Sequence, residues 1–299
     1  MAAAGISTAM QTCLVTGGTS GIGLITAREL LRSGARVVIT SRDAAKGAAV
    51  AGRLARETGN ANVEVLACDF ASLDSIRAAA AEVRRRHDRL HVLVNNAGGL
   101  NPKRALSKDG LELTFAVNHL GYFLLTNLLL DVLKASAPAR VVSGASEASR
   151  VGRIDFDDLQ ASGRYSATRQ YGTTKLMNIA FALELAERLR GSGVTSNALH
   201  PGVVASDFGA VGGLVGLVYK LGGPFMLTPE QGARTQIFLA ASPEVEGVTG
   251  GYFIRKKQQA PPRQAGDAEV RRKLWEASEQ LTGLAAPRAS SPSPATAAS

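Results

Sequence analysis

Apolar positions along this chain fall into short continuous runs, separated by longer stretches in which they recur every three or four residues. The first pattern marks buried strands and the second amphipathic helices. Strand-like runs occupy residues 13–15, 36–40, 63–67, 92–95, 140–143, 195–199 and 252–254. Helical spacing predicts helices over 24–33, closed at Gly34, and over 44–58, 73–86, 111–135, 167–190 and 229–239. Strands alternating with helices imply a mostly parallel sheet covered on both faces, a doubly wound α/β fold of the Rossmann type. No repeat or linker interrupts the alternation, so residues 11–284 read as one domain after a short extension at 1–10. Residues 285–299, rich in Pro, Ser and Ala without apolar periodicity, read as a disordered tail.

Composition narrows the partners. The net charge of +9 invites a nucleic-acid or membrane reading, yet the basic residues are scattered along helical segments. The short clusters at Arg84–Arg85–Arg86 and Arg271–Arg272–Lys273 have no interleaved aromatic residues, so no nucleic-acid partner is expected. A loose contact with an anionic surface stays open. The apolar stretch at 123–133 is broken by Thr126, Asn127 and Asp131, so no membrane span is expected. The first ten residues lack the basic and apolar blocks of a secretory signal. Cys13 and Cys68 sit in apolar runs at no metal or redox spacing, which points to core thiols in a reducing compartment, the cytoplasm. Four histidines without a cluster give no reason to expect a metal.

The candidate chemistry begins directly after the first strand. Gly17-x-x-x-Gly21-x-Gly23, with Thr19, Ser20 and Ile22 between the glycines, joins a strand to a helix N-terminus. Such a turn lets backbone N–H groups and the helix dipole approach a pyrophosphate, although many strand-to-helix turns carry glycines for geometry alone. The run TGGTSGIG at 16–23 resembles the cofactor loop of the short-chain dehydrogenase/reductase family. The resemblance continues in order through Asp69, Asn95-Asn96-Ala97-Gly98, Asn118, Ser146, Tyr171-x-x-x-Lys175 and Pro201-Gly202. Ser41-Arg42-Asp43, Asn118-His119-Leu120-Gly121 and Leu274-Trp275-Glu276-x-Ser278 look like its retinol dehydrogenase-like and carbonyl reductase branch.

Cofactor choice follows from charge. Ser41 stands where the family places an acid that holds the ribose hydroxyls of NAD, and Arg42 follows it. A guanidinium pairs with a 2′-phosphate in a bidentate, charge-assisted way, so NADP(H) is expected rather than NAD(H). Lys46 could assist. Asp43, one place late for a ribose contact, keeps dual specificity alive. The resemblance further implies that Asp69, with Phe70 beside it, binds the adenine, and that Asn96, Ala97 and Gly98 wall the ribose. Pro201, Gly202, Val204 and Ser206 would close over the nicotinamide. A helix N-cap is the alternative role for Asp69.

Tyr171 and Lys175 lie four residues apart in a helical segment and so share a face. A free phenol titrates near pH 10, and a neighbouring ammonium favours its ionised form. In the family's pattern Tyr171 is the proton donor, Lys175 tunes it and holds the ribose, and Ser146 orients the carbonyl. Asn118 completes a proton relay through its backbone carbonyl. Ser146 departs from the family's paired serines because Ala145 precedes it; Ser143 and Ser149 are competing positions. A locally satisfied helix asparagine is the alternative reading of Asn118, and His119 and His200 read as structural. The apolar segment 207–227 matches the family's substrate lid and implies a lipophilic or aromatic substrate. The resemblance also implies a homo-oligomer that pairs helices 111–135 and 167–190. Carbonyl–alcohol interconversion is the expected reaction. An NAD-dependent alcohol dehydrogenase, an enone reductase and a non-catalytic dinucleotide sensor remain the rival readings.

Overall fold

The computed structural model describes residues 10–202 and 227–284. The expected lid (Leu227 apart), Val204, Ser206, the tail and all of the N-terminal extension but Met10 lie outside them.

Among the described residues, eight strands form one sheet: β1 (Thr12–Val15), β2 (Arg36–Ser41), β3 (Val63–Ala67), β4 (Val92–Asn95), β5 (Ala139–Gly144), β6 (Val194–His200), β7 (Tyr252–Ile254) and β8 (Lys257–Gln259). Their spatial order is β3-β2-β1-β4-β5-β6-β7-β8. All neighbours pair in parallel except β7 and β8. The order reverses between β1 and β4, and in open α/β sheets the crevice at such a switch point takes the ligand.

The helices are α1 (Gly21–Arg32), α2 (Ala44–Thr58), α3 (Leu73–Arg86), α4 (Leu113–Phe115), α5 (Gly121–Leu128), α6 (Leu130–Ala135), α7 (Ala167–Arg188), α8 (Pro229–Ala241), α9 (Arg263–Gly266) and α10 (Ala268–Thr282). Alternate side chains of each strand face opposite sides, so the sheet carries two cores. Leu14, Leu93 and Val141 meet α3, α5 and α7 on one side. Cys13, Val15, Val37, Val94 and Val142 meet α1, α2 and α8 on the other. Burial pushes the Cys13 and Cys68 thiols up to about 12, so both behave as small apolar residues.

Three features depart from the sequence reading. The helix expected over 111–135 is divided into α4, a π-helical turn (Ala116–Leu120), α5 and α6. The strand β8 is antiparallel and exposed, with polar side chains that carry no apolar signal. Its hairpin turn places Arg255 and Lys256 both at positive φ, 50° and 64°. That geometry usually draws Asn-Gly, which is why the sequence did not announce it. The third departure is α10, which lies across α7.

Helix α7 is buried without interruption from Gly172 to Ala186. On α10, Trp275 packs edge-on to Phe123 at 4.8 Å and stacks on Phe181 at 5.9 Å. Arg188 lies 4.2 Å over the same indole. Trp275 thus sets α10 against α5 and α7, the helices that the expected homo-oligomer would pair.

Candidate active site

The site residues gather at the C-terminal ends of β1, β4, β5 and β6. After β1, Gly17 takes φ +64° and Gly21 φ +52°, conformations open to glycine at little cost. A Cβ at Gly23 would collide with the Gly17 carbonyl oxygen and the Asn96 amide. Thr16 ties the loop to β4: its Oγ1 accepts from the N–H groups of Asn96 at 2.8 Å and Ala97 at 2.9 Å. Helix α1 then begins at Gly21; its N-cap Ser20 makes no side-chain capping bond, and its first turn carries no acid. The first-turn amides are thus left for an anion from outside the chain, and the glycines leave room for it. These residues fit the pyrophosphate of a dinucleotide.

At the end of β2, Ser41 is buried and its Oγ donates to the Asp43 carbonyl at 2.6 Å. Asp43 caps α2, its carboxylate accepting from Lys46 N–H at 2.9 Å. Arg42 stands exposed between them. Asp69 accepts from Ala71 N–H at 3.0 Å and pairs with the Lys108 ammonium at 3.1 Å. Burial works against its charge, but the Ala71 N–H, Lys108 and Arg42 outweigh it and hold the carboxyl below its usual range. The N-cap of α3 is Ser72, not Asp69. The Phe70 side chain belongs to the core, against Gly121, leaving its backbone for any ligand.

After β4, the loop meets α7. Asn118, fully buried on the π-turn, donates from Nδ2 to the Gly99 carbonyl at 2.9 Å and to Thr174 Oγ1 at 3.0 Å. Its Oδ1 accepts from Gly99 N–H at 2.8 Å. The side chain is therefore satisfied locally, and a relay role would rest on its backbone carbonyl. A π-turn is the kind of helix irregularity that frees such groups. A Cβ at Gly98 would lie 2.9 Å from Asn118 Oδ1 and 3.3 Å from Lys175 Nζ, so the three positions converge.

Lys175 is buried, and its Nζ donates to the Gly144 carbonyl at 3.3 Å. It lies 5.5 Å from the centre of the Tyr171 ring. Burial lowers the ammonium to about 8. Among the three serines weighed from sequence, Ser143 and Ser149 are buried and Ser146 alone is partly exposed. Ser146 caps a 3-10 turn (Glu147–Arg150), accepting from Ala148 N–H at 3.2 Å. Gly202 follows β6 at φ +95°, with Leu227 against it.

The two histidines near the site are tied down. His119 contacts Asn178 at 3.3 Å and Ser278 at 3.0 Å, and burial lowers it to about 4. His200 accepts from Glu147 N–H at 3.1 Å. No group of three His, Cys, Asp or Glu side chains among the described residues could hold a metal ion. A cavity of about 590 Å³ lies at the opposite, N-terminal ends of β5 and β6, beside Arg140 and Thr195.

One member of the site escaped the sequence reading. Glu112 is fully buried, and its carboxylate accepts from Thr114 N–H, Phe115 N–H and Gln170 Nε2 at 2.8–2.9 Å. It thereby couples the helix leading to Asn118 with the residue preceding Tyr171. Its partner Gln170 is 58 residues away, and no local pattern marks the pair.

Residues 11–211 match the short chain dehydrogenase family. The chain belongs to it. This short-chain dehydrogenase is 45% identical to human retinol dehydrogenase 14 over 291 residues, spanning 92% of this chain and 87% of that one. It is 45% identical to human retinol dehydrogenase 13 over 284 residues, spanning 93% and 86%. A crystal structure from Mycobacterium paratuberculosis superposes with a TM-score of 0.76 at 35% identity, covering 94% of this chain and 96% of the other. The Pseudomonas aeruginosa RhlG–NADP complex gives 0.67 at 29% identity, covering 83% and 95%. The protein is thus an oxidoreductase of the retinol dehydrogenase-like group, and it acts on alcohols or carbonyls.

Proposed function

We propose that this enzyme interconverts a lipophilic carbonyl compound and its alcohol with NADP(H), working as a reductase. The observation that carries the reading is the convergence of Tyr171, the buried Lys175 ammonium and Gly98 at the switch point of the sheet. The relatives named retinol dehydrogenase act on a lipophilic alcohol by their names, which supports the substrate class. The buried free thiols support a reducing, cytoplasmic setting. Among the described residues no helix is long and apolar enough to cross a membrane.

The dinucleotide would supply the hydride. The first turn of α1, with Gly17, Thr19, Ser20, Gly21, Ile22 and Gly23, would hold its pyrophosphate. Asp69 and the Phe70 backbone would hold the adenine, and Asn96, Ala97 and Gly98 a ribose. Pro201 and Gly202, joined by Val204 and Ser206, would close over the nicotinamide. Ser146 donates a hydrogen bond to the substrate oxygen and Tyr171 protonates it as negative charge develops. The Lys175 ammonium favours the phenolate left behind and hydrogen-bonds the ribose. Asn118, through its carbonyl, links the lysine to solvent.

The reading is tested by following NADPH absorbance against a panel of aldehydes, ketones, quinones and enones. Substrate-dependent loss supports it; no turnover with either cofactor in either direction, despite tight NADPH binding, points to a sensor. Turnover confined to enones would select the carbon–carbon double-bond reductase instead.

The preference for NADP(H) rests on Arg42 and on the capping role of Asp43. Arg42→Ala is expected to weaken NADPH binding by about 10- to 100-fold, the worth of a charge-assisted pair, and to leave NADH binding nearly unchanged. Equal losses for the two cofactors in a binding titration would remove Arg42 from the 2′-phosphate. Gly23→Ala should lower NADPH affinity by about 10-fold or more, because the loop must open to admit the methyl group. Unchanged affinity in the same titration would show that the loop is not the pyrophosphate cradle.

A further inference from the structure

The Lys175 ammonium has a second aromatic neighbour. Tyr122, on α5, is completely buried, and Lys175 Nζ lies 5.7 Å from its ring centre, against 5.5 Å for Tyr171. Both separations fall within the reach of a cation–π interaction, which is strongest where water is excluded. The Tyr122 hydroxyl is buried with no hydrogen-bond partner among the described residues. A buried unpaired hydroxyl is a cost, so hydrogen bonding is not what this side chain supplies. Its ring is. The remaining contacts of Lys175 hold it in place: Nζ donates to the Gly144 carbonyl, which also accepts from Asn178 Nδ2 at 3.1 Å.

We infer that Tyr122 is a positioning residue whose ring, with that of Tyr171, faces the Lys175 ammonium and keeps it charged where its side chain is buried. Its effect on turnover rests on the function proposed above; its effect on the lysine does not. Among the described residues, the titratable groups facing Lys175 are the phenols of Tyr171 on its own helix and Tyr122 on α5. His119 of the π-turn stands behind Asn178 and is held neutral by its burial. Burial lowers the lysine to about 8, so the ammonium is lost as the pH rises through that value. Removing a ring that favours the charged form moves this loss to lower pH.

The test is an NMR titration of the holoenzyme with isotope-labelled lysine, using Lys175→Met to assign the signal. Tyr122→Leu is expected to lower the Lys175 pKa by about one unit, a tenfold change in its dissociation constant. Tyr122→Phe keeps the ring and should restore the wild-type titration. Phe123→Leu, a core truncation one residue away, should leave it unmoved. If Tyr122→Leu does not fold, fluorinated phenylalanines at position 122 weaken the ring quadrupole at nearly constant volume and should lower the pKa stepwise. A second readout is kcat for the carbonyl substrate: the deficit of Tyr122→Leu should widen from below the lysine pKa to above it. A lysine titration unchanged in Tyr122→Leu, or across the fluorinated series, overturns the inference. An unmoved titration with normal NADPH turnover defeats the role of Tyr122 alone. A shifted titration without any turnover defeats the proposed function and leaves the role of the Tyr122 ring standing.

Discussion

Tyr171→Phe is expected to lower kcat/KM for NADPH-dependent carbonyl reduction by about 10²- to 10⁴-fold, the usual contribution of a positioned general acid. The ring remains, so the packing around Lys175 and the binding of NADPH should change little. The loss should fall on kcat, because a proton delivered only as the alkoxide forms stabilises the transition state and not the bound ketone. Stopped-flow measurement of NADPH oxidation, beside a fluorescence titration of NADPH binding, separates these effects. A variant that reduces the best substrate at the wild-type rate would remove Tyr171 from the chemistry. A variant that loses NADPH binding in step with its activity would make Tyr171 a binding residue instead.

Trp275→Ala is expected to destabilise the fold by about 3–5 kcal/mol, the range for deleting a large buried aromatic side chain. Trp275 is 4% exposed. Its indole touches the rings of Phe123 and Phe181 and the guanidinium of Arg188, and its Nε1 donates to Glu279 at 2.8 Å. Those partners belong to α5, α7 and α10, so the truncation loosens the cover over the helix that carries Tyr171 and Lys175. Urea unfolding followed by circular dichroism should show a lower midpoint with a similar slope. A loss below about 1 kcal/mol would mean that α10 is a peripheral appendage rather than part of the core.

Much of the architecture was legible from spacing. Seven of the eight strands were legible; β1, β2, β4, β5 and β7 carry continuous apolar runs, because strands buried on both faces cannot alternate polar and apolar residues, whereas Glu64 interrupts β3 and Thr195, Ser196 and Asn197 interrupt β6. The ends of α2 and α3 followed from their apolar periodicity and, for α3, the Ser72 cap; for α2 the cap is Asp43 and the stop is Gly59 at φ +69°. The pairing of Tyr171 with Lys175 was equally legible, since one helical turn joins them. The polar edge strand β8 was not: its hairpin uses Arg255 and Lys256 where glycine and asparagine are the usual signal. Nor was the division of 111–135, because a π-turn has the same residue types as the helix around it.

The sequence by itself determined seven of the eight strands and most of the helices between them, the glycine turn after β1, the Tyr171–Lys175 face and the basic Ser41-Arg42 end of β2. All of these are encoded within a few residues, by periodicity, by backbone freedom or by charge. The tertiary structure alone decided the rest. It engaged Asp43 as a helix cap, closed the Asn118 side chain onto Gly99 and Thr174, left Ser146 as the accessible serine, buried Glu112 against Gln170 and laid Trp275 over α7. It also put the Tyr122 ring against the lysine. Most of these contacts join segments tens of residues apart, and burial sets their strength by excluding water. Neither the distance across the fold nor the exclusion of water is written in any local run of the chain.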